Sequence, residues 1–428
     1  MNNQSILVEN VPSDWVIKKI KYVFDERKET NDPIQTDVLV SLTHDRGVIL
    51  HSEKGDIGNK EKDDIKKYKI VHPGDIVVNS MNVIIGSSGL SDHFGLVSPV
   101  YYMLVKKDSN HDNKFFHYLF RSIVFQKSLI GVGNGILEHR MRVPIDKLGG
   151  HLIPLPSANE QKLISRYLDK KTSQIDSLVE KIHKKIELLK EQRTSLINHY
   201  VTKGLDPNVE MKDSGVEWIG EIPKHWTLSK FGFVASLETG NTPSKSEEDL
   251  YFTEDQHGFL WVKPSDLDVG FQGVSNSEVK LTFEGKEQSR VIPKDSILVC
   301  CIGNTSGKFS IANCDLSTNQ QINSITFKDQ ILPRYGLYYM DVFGRDLLKW
   351  MNFVTLPIIS KGDLSRQPVI VPPNSEQIEI SEMLDKIISE HKVVEELHLQ
   401  KIQLLKEYRQ SLISSVVTGK VRVTEDMI

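Results

Sequence analysis

Three sets of residues in this 428-residue chain have the types and spacing to do chemistry. The first is Pro264-Ser-Asp266 followed by Glu278-Val-Lys280. An Asp with a Glu-x-Lys on neighbouring strands can hold a divalent metal and activate water, as a metal-dependent nuclease requires. The spacing is permissive, and Lys280 is equally expected on a half-exposed strand. The second set is Gly303-Asn-Thr-Ser-Gly-Lys308, which has the look of a phosphate loop. It is one residue short between its glycines, Ile302 stands where the first Gly should be, and Phe309 stands where Ser or Thr should hold magnesium. It therefore reads as a turn.

The third set consists of polar clusters in predicted loops. Arg and Lys suit guanine edges, Asn and Gln suit adenine, and Ser or Thr suit either. In the first half these are Asn79, Asn82, Ser87, Ser88 and the run His139-Arg-Met-Arg142, of which His139, Arg140 and Arg142 are candidates. In the second half they are Asn304, Thr305, Lys308 and, within Ser317-Thr-Asn-Gln-Gln321, Asn319, Gln320 and Gln321. Solvated turn residues would have the same composition.

Other enzyme signals are missing from the sequence. Val371-Pro-Pro-Asn374 is not the Asn/Asp-Pro-Pro-aromatic loop of an adenine methyltransferase. There is no glycine fingerprint for a dinucleotide or S-adenosylmethionine, and the 14 histidines form no HExxH pair. Cys300, Cys301 and Cys314 lack CxxC spacing, so reduced thiols and no metal site are expected. Hydrophobic content of 39% and charged content of 26% are ordinary for a globular protein. The N-terminus lacks the basic and apolar regions of a signal peptide and no apolar run is long enough to span a membrane, which predicts a cytoplasmic location. The net charge of −4 counts against non-specific DNA binding but permits a local basic cleft.

The elements that must position these loops are set by a repeat. Lys185–Ile197 (Lys-Ile-Glu-Leu-Leu-Lys-Glu-Gln-Arg-Thr-Ser-Leu-Ile) returns as Lys401–Ile413 (Lys-Ile-Gln-Leu-Leu-Lys-Glu-Tyr-Arg-Gln-Ser-Leu-Ile), 216 positions on. Glu160-Gln161 returns as Glu376-Gln377 and Leu168-Asp169 as Leu384-Asp385 at the same offset. Each copy starts after prolines (Pro154 and Pro156; Pro372 and Pro373) with a polar cap candidate, Ser157 or Asn159 and Asn374 or Ser375. Neither Pro nor Gly then appears until Gly204 and Gly419. Each copy is therefore a helix of about forty residues, roughly 60 Å long. In the first, Leu168, Ile175, Ile182, Leu189 and Leu196 repeat every seven residues, a coiled-coil seam. In the second, Leu384, Leu405 and Leu412 keep the beat, but His391, Glu395 and His398 fall on the seam with Val394 and Leu397 beside it, which predicts a local seam shift. A matching copy in the same chain favours an intramolecular antiparallel pair.

The repeat extends into the segments before each helix. Val11-Pro-Ser-Asp-Trp15 matches Ile222-Pro-Lys-His-Trp226. Strand-rich runs, small polar loops and one helix (Phe115 onward; Tyr335 onward) follow in the same order in both halves. The layout is domain, long helix, domain, long helix, joined by a polar linker from Asp206 to Gly220. A pseudo-twofold molecule of this kind suits a target with two separated halves, of which bipartite DNA is the commonest.

At this point the sequence resembles the specificity subunit of a type I restriction–modification enzyme. The resemblance is carried by the two Pro-then-Glu-Gln helix starts, by Leu188–Ile197 and Leu404–Ile413, by Glu217-Trp-Ile-Gly-Glu-Ile-Pro-Lys-His-Trp226 and by Leu237-Glu-Thr-Gly-Asn-Thr-Pro-Ser244. The first globular segment lacks a clear Gly-x-Thr-Pro-Ser. The resemblance implies an α+β chain with two α/β target recognition domains and two long antiparallel coiled-coil helices. Its segments would be 1–154 (first recognition domain), 155–204 (first spacer helix), 205–226 (linker and restart), 227–370 (second recognition domain), 371–418 (second spacer helix) and 419–428 (tail). It implies a non-catalytic subunit in which each domain reads half of an asymmetric double-stranded DNA site. The helices would set the gap and dock two methyltransferase subunits, with restriction/motor subunits joining that core. No cofactor is expected on this chain; S-adenosylmethionine, ATP and Mg are implied for the partners. A self-sufficient nuclease using Asp266, Glu278 and Lys280, and a coiled-coil scaffold without DNA contact, are the competing classes.

Overall fold

A computed structural model describes residues 6–43, 46–54, 64–133, 142–244, 248–267, 270–303, 305–347 and 358–428. Among its helices are α1 (Asn113–Arg121), α2 (Ala158–Lys203), α3 (Pro333–Leu347) and α4 (Asn374–Val417). The two long ones start and stop for local reasons. Ser157 accepts a hydrogen bond from the Glu160 amide (3.3 Å), which makes it the cap of α2. At α4 the carbonyl of Pro373 accepts from the amides of Glu376 and Gln377 (3.0 Å each), and Asn374 lies inside the first turn. Both helices end at a glycine in the left-handed region, Gly204 (φ 77°) and Gly419 (φ 75°), where any other residue would be strained.

The chain divides into two compact units, residues 1–184 with 398–428 and residues 185–397, so each unit contains part of both long helices. In the first, β1 (Val16–Lys19) pairs antiparallel with β6 (Leu152–Leu155), Val16 opposite Leu155. Between them β2 (Phe24–Arg27), β3 (Ile76–Asn79), β4 (Ser88–Leu90) and β5 (Tyr101–Lys106) form an antiparallel sheet in the order β2-β5-β3-β4. In the second, β7 (Thr227–Lys230) pairs with β12 (Pro368–Val371). There β8 (Ala235–Thr239), β9 (Ile297–Cys300), β10 (Phe309–Ile311) and β11 (Ile322–Phe327) form a sheet in the order β8-β11-β9-β10. The two orders are the same topology, so the repeat legible in the helices governs the sheets as well.

The core of each unit is built across the helix pair. In the first, Ile164, Leu168 and Ile175 of α2 join Leu412, Ile413, Val416 and Val417 of α4 and the aromatics Phe115, Phe116 and Phe120. In the second, Ile197 and Val201 join Ile380, Leu384, Trp226 and Tyr335. Asp176 pairs with Arg409 (3.0 Å) in the first unit, and Lys190 with Glu395 (2.9 Å) in the second. In each unit the early part of one helix lies against the late part of the other, so the pair is antiparallel.

The seam follows geometry rather than hydrophobicity. Leu168, Ile175 and Ile182 are buried, after which burial passes to Ile186, Ile197 and Val201, leaving Leu189 and Leu196 half-buried. In α4, Leu384 and Leu412 are buried and Leu405 half-buried. The expected shift toward Val394 and Leu397 does not occur: both are exposed, while His391, Glu395 and His398 stay half-buried. The Lys190–Glu395 ion pair holds that register. A Leu384→Asp chain would bury an unpaired carboxylate in the second core and should unfold that unit at a denaturant concentration that leaves the first intact. Two separated transitions in a denaturant titration, absent from the parent chain, are the expected readout.

Two histidines, His151 buried and His117 half-buried, give the first unit an acid sensitivity. His151 is fully buried with its Nε2 2.8 Å from the Ser128 hydroxyl, and burial pushes its imidazole down to about 4 from the ordinary 6.5. His117, whose Nδ1 accepts from the Leu90 amide (3.1 Å), is lowered to about 4 by the same cause. Both are neutral in the fold, so their stabilisation is complete above pH 6.5 and is lost as pH falls toward 4. For His151 alone the loss is roughly 3 kcal/mol. Urea midpoints taken between pH 7 and 4 should fall less in a His151→Gln chain than in the parent; equal slopes would contradict this assignment.

Candidate nucleic-acid interface

Each globular segment is fastened to its helix by the residues of the repeated motif. Gln161 is fully buried; its Oε1 accepts from the Asp112 amide (2.9 Å) and its Nε2 donates to the Pro156 carbonyl (2.9 Å). Gln377 does the same, accepting from the Leu332 amide (2.8 Å) and donating to the Pro372 carbonyl (2.8 Å). Two turns on, Asp169 accepts from the Tyr118 hydroxyl (2.7 Å) and from Lys114 (2.6 Å). Its counterpart Asp385 accepts from Tyr338 (2.5 Å) and from the Arg334 Nε (2.8 Å). Burial, followed by the adjacent carboxylate, raises both tyrosines well above their ordinary 10, so both are held as donors. A Gln377→Leu chain leaves the Leu332 amide and Pro372 carbonyl without partners and should lose about 2 kcal/mol. Slower amide exchange at Leu332 in the variant than in the parent would contradict this.

These anchors carry a polar loop surface in the second unit. The segment Gly240-Asn-Thr-Pro lies directly on Asn319–Gln321. The Gly240 amide donates to the Ile322 carbonyl (3.0 Å) and the Asn241 amide to the Thr318 carbonyl (2.9 Å). A Cβ at Gly240 would lie 2.3 Å from the Asn319 carbonyl oxygen and 2.4 Å from that of Thr318, so only glycine fits. The Asn241 Oδ1 accepts from the Arg290 amide (2.8 Å), which sets an exposed guanidinium at the edge of the same surface. Gln320 is exposed and accepts from the Thr242 hydroxyl (2.5 Å), and Gln321 is half-buried beside it. Asn319 is buried; its Oδ1 accepts from the Gln321 amide (3.1 Å) and its Nδ2 donates to the Gln321 side chain (3.0 Å). It orients Gln321 rather than facing solvent.

The other predicted residues separate by burial. Thr305 is exposed and Lys308 half-buried, with the Lys308 Nζ 3.3 Å from the Pro264 carbonyl. Asn79, Ser87 and Ser88 are buried: Asn79 closes a turn onto the Met81 amide (3.0 Å), and the Ser88 hydroxyl has no partner among the described residues. Their polarity serves the end of β3 and the start of β4, and they do not reach the surface. Asn82 is half-buried and Arg142 exposed, while His139, Arg140 and Asn304 lie outside the described residues. Arg290, Asn241 and Thr242 were not singled out individually from the sequence. The signal for Arg290 was a guanine-type side chain in a loop following Ser289.

The enzyme-like sets are occupied by structural bonds. The two oxygens of Asp266 accept from the amides of Lys263 (2.8 Å) and Glu278 (3.3 Å), and Glu278 pairs with Lys263 (2.8 Å). Lys280 is nearly buried on its strand. No group of His, Cys, Asp and Glu suited to a metal occurs among the described residues. In the loop before β10, the amides of Ser306, Gly307 and Lys308 donate to the carbonyls of Gly303, Cys300 and Thr305. It is a closed turn, not an anion cradle. Cys301 is buried, which pushes its thiol up to about 12. No described helix is long and apolar enough to cross a membrane.

This arrangement defines a protein in which one module recurs in two units, each fastened to the long helices by the same Gln and Asp anchors, with a polar loop surface in the second. Residues 223–403 match the family profile of the type I restriction modification DNA specificity domain. A Methanocaldococcus jannaschii protein provisionally named the type I restriction enzyme MjaX specificity subunit is 22% identical over 97% of this chain and 96% of its own length. The MjaVIII specificity subunit of the same organism is 25% identical over 82% of this chain and 81% of its own. The HsdS subunit of Thermoanaerobacter tengcongensis has a similar fold, with a TM-score of 0.58 at 16% identity over 96% of this chain and 98% of that one. A chain from a type I R-M system structure superposes with a TM-score of 0.68 at 16% identity, over 96% of this chain and 100% of that one. Residues 223–403 thus match a type I DNA specificity domain, and over most of its length the chain is similar to specificity subunits of type I restriction enzymes.

Proposed function

We propose that each globular segment reads one half of a bipartite, asymmetric double-stranded DNA site, and that the paired helices set the gap and dock two methyltransferase subunits. The observation that carries this reading is the duplication itself. The same sheet order and the same Gln and Asp anchors recur in both units, while the loop residues differ. A module with a constant frame and variable loops suits two unlike half-sites on one DNA. In the second unit Asn241, Thr242, Arg290, Gln320 and Gln321 are the base-reading candidates we favour; in the first, Asn82 and Arg142.

The helices support docking in duplicate. Leu188 and its repeat mate Leu404 are 53% and 64% exposed, and Leu178 and its mate Val394 are 38% and 39% exposed. Large apolar side chains left in solvent at matched positions of both copies fit two copies of one partner. Restriction/motor subunits complete the nuclease, the partners bind S-adenosylmethionine, ATP and Mg, and the complex works in the cytoplasm. Exchanging the segment 227–370 for that of a relative tests the division of labour: one half of the methylated motif should change and the other should stay.

A further inference from the structure

The second unit contains a cavity of about 810 Å³ in which basic side chains converge. Arg193 and Lys392 enter it from the two long helices, and Lys308 and Arg334 from the globular segment. Two carboxylates, Asp341 and Asp385, share the lining. Asp385 is committed to Arg334 and Tyr338. Arg193, Lys308 and Lys392 form no ion pair among the described residues.

The repeat shows why this is unusual. Arg193 belongs to the duplicated Leu-Leu-Lys-Glu-x-Arg segment, and its mate, 216 positions on, is Arg409. In the first unit Arg409 is neutralised by Asp176, with bonds of 3.0 and 3.3 Å. The mate of Asp176, at the same offset, is Lys392. The Lys190–Glu395 pair fixes the helix register here, and three residues along each helix from it stand Arg193 and Lys392. One copy therefore has a salt bridge where the other sets two cations in the lining of one cavity. Like charges in a partly enclosed cavity are unfavourable unless an anion lies between them.

We propose that Arg193, Lys392 and Lys308 hold a phosphate ester in this cavity. Phe271 and Phe309 line the same space and offer apolar cover to a sugar or base. The phosphate has two sources, the backbone of bound duplex or a free nucleotide, and the first rests on the DNA-reading proposal above. Among the described residues of the first unit, the matching position is filled by Asp176, paired with Arg409.

The test uses the 428-residue chain and a Lys392→Asp variant, which recreates the Asp176–Arg409 pair and so preserves the fold. Thermal midpoints are measured in chloride, inorganic phosphate and ATP at equal ionic strength, and duplex affinity is measured against salt. The parent midpoint should rise in phosphate or ATP relative to chloride, and the variant should lose that rise. If duplex supplies the phosphate, the slope of log affinity against log salt becomes shallower by about one in the variant. A lost midpoint rise with an unchanged slope assigns the site to a free nucleotide and leaves the DNA-reading proposal standing. Equal midpoint shifts and equal slopes in parent and variant overturn the site. An Asp176→Lys chain provides the converse: it should gain a second phosphate-dependent rise.

Discussion

A Gly240→Ala chain is expected to lose recognition of one half-site while the other survives. The added Cβ would meet the carbonyl oxygens of Asn319 and Thr318 at 2.3 and 2.4 Å and the Thr318 hydroxyl at 2.1 Å. The hydroxyl can rotate away, but the two carbonyls are backbone atoms fixed by hydrogen bonds from Ile322 and Asn241. Relief requires the Gly-Asn-Thr-Pro segment to lift off the Asn319–Gln321 turn. That breaks the Asn241–Arg290 and Thr242–Gln320 bonds together. Overpacking of this kind costs about 1–3 kcal/mol, and here it falls on the surface proposed to read bases. Amide exchange should quicken at Asn241 and Ile322 and stay unchanged in the first unit. Methylation of a motif altered in one half only is the functional readout, and an unchanged motif would remove this loop pair from the recognition surface.

The second large effect is on assembly. With Leu188→Asp and Leu404→Asp combined, methyltransferase binding should weaken by about a hundredfold. Folding should shift by no more than about 0.5 kcal/mol, because both side chains are more than half exposed in the free chain. Each single variant should lose one of the two bound subunits, which sedimentation of the mixture would resolve as a change in stoichiometry. Intact two-to-one complexes with the double variant would show that this apolar face is not the docking surface. Full loss of binding in one single variant would show that the two faces are not equivalent.

How much of this was legible in the sequence depends on the physical signal each feature leaves. The long helices were plain, because a stretch free of Pro and Gly between prolines and a glycine has few alternatives. Their pairing was plain because the copies share a seam. The local course of the seam was not: Val394 and Leu397 look like core residues, yet the Lys190–Glu395 bond and the regular helix turn keep them outside. The loop clusters were only half legible. Composition marks Ser87, Ser88 and Asn79 as polar but cannot tell a buried turn from a contact surface, and here they are buried. Asn319 reads the same way as Gln320 in sequence, yet one orients its neighbour and the other faces solvent. The buried glutamines of the Glu-Gln motif were visible as a repeat, but their bonds to Asp112 and Leu332 depend on residues some fifty positions away in the chain.

On the proposed function, this chain decides which DNA sequence its complex modifies. The most direct measurement is a map of DNA methylation in a host carrying the cognate methyltransferase subunit, with and without the gene for this chain. The expected result is a bipartite motif that is methylated only when the gene is present and that changes in one half when 227–370 is replaced. An unchanged methylation map, with the complex expressed and assembled, would contradict it.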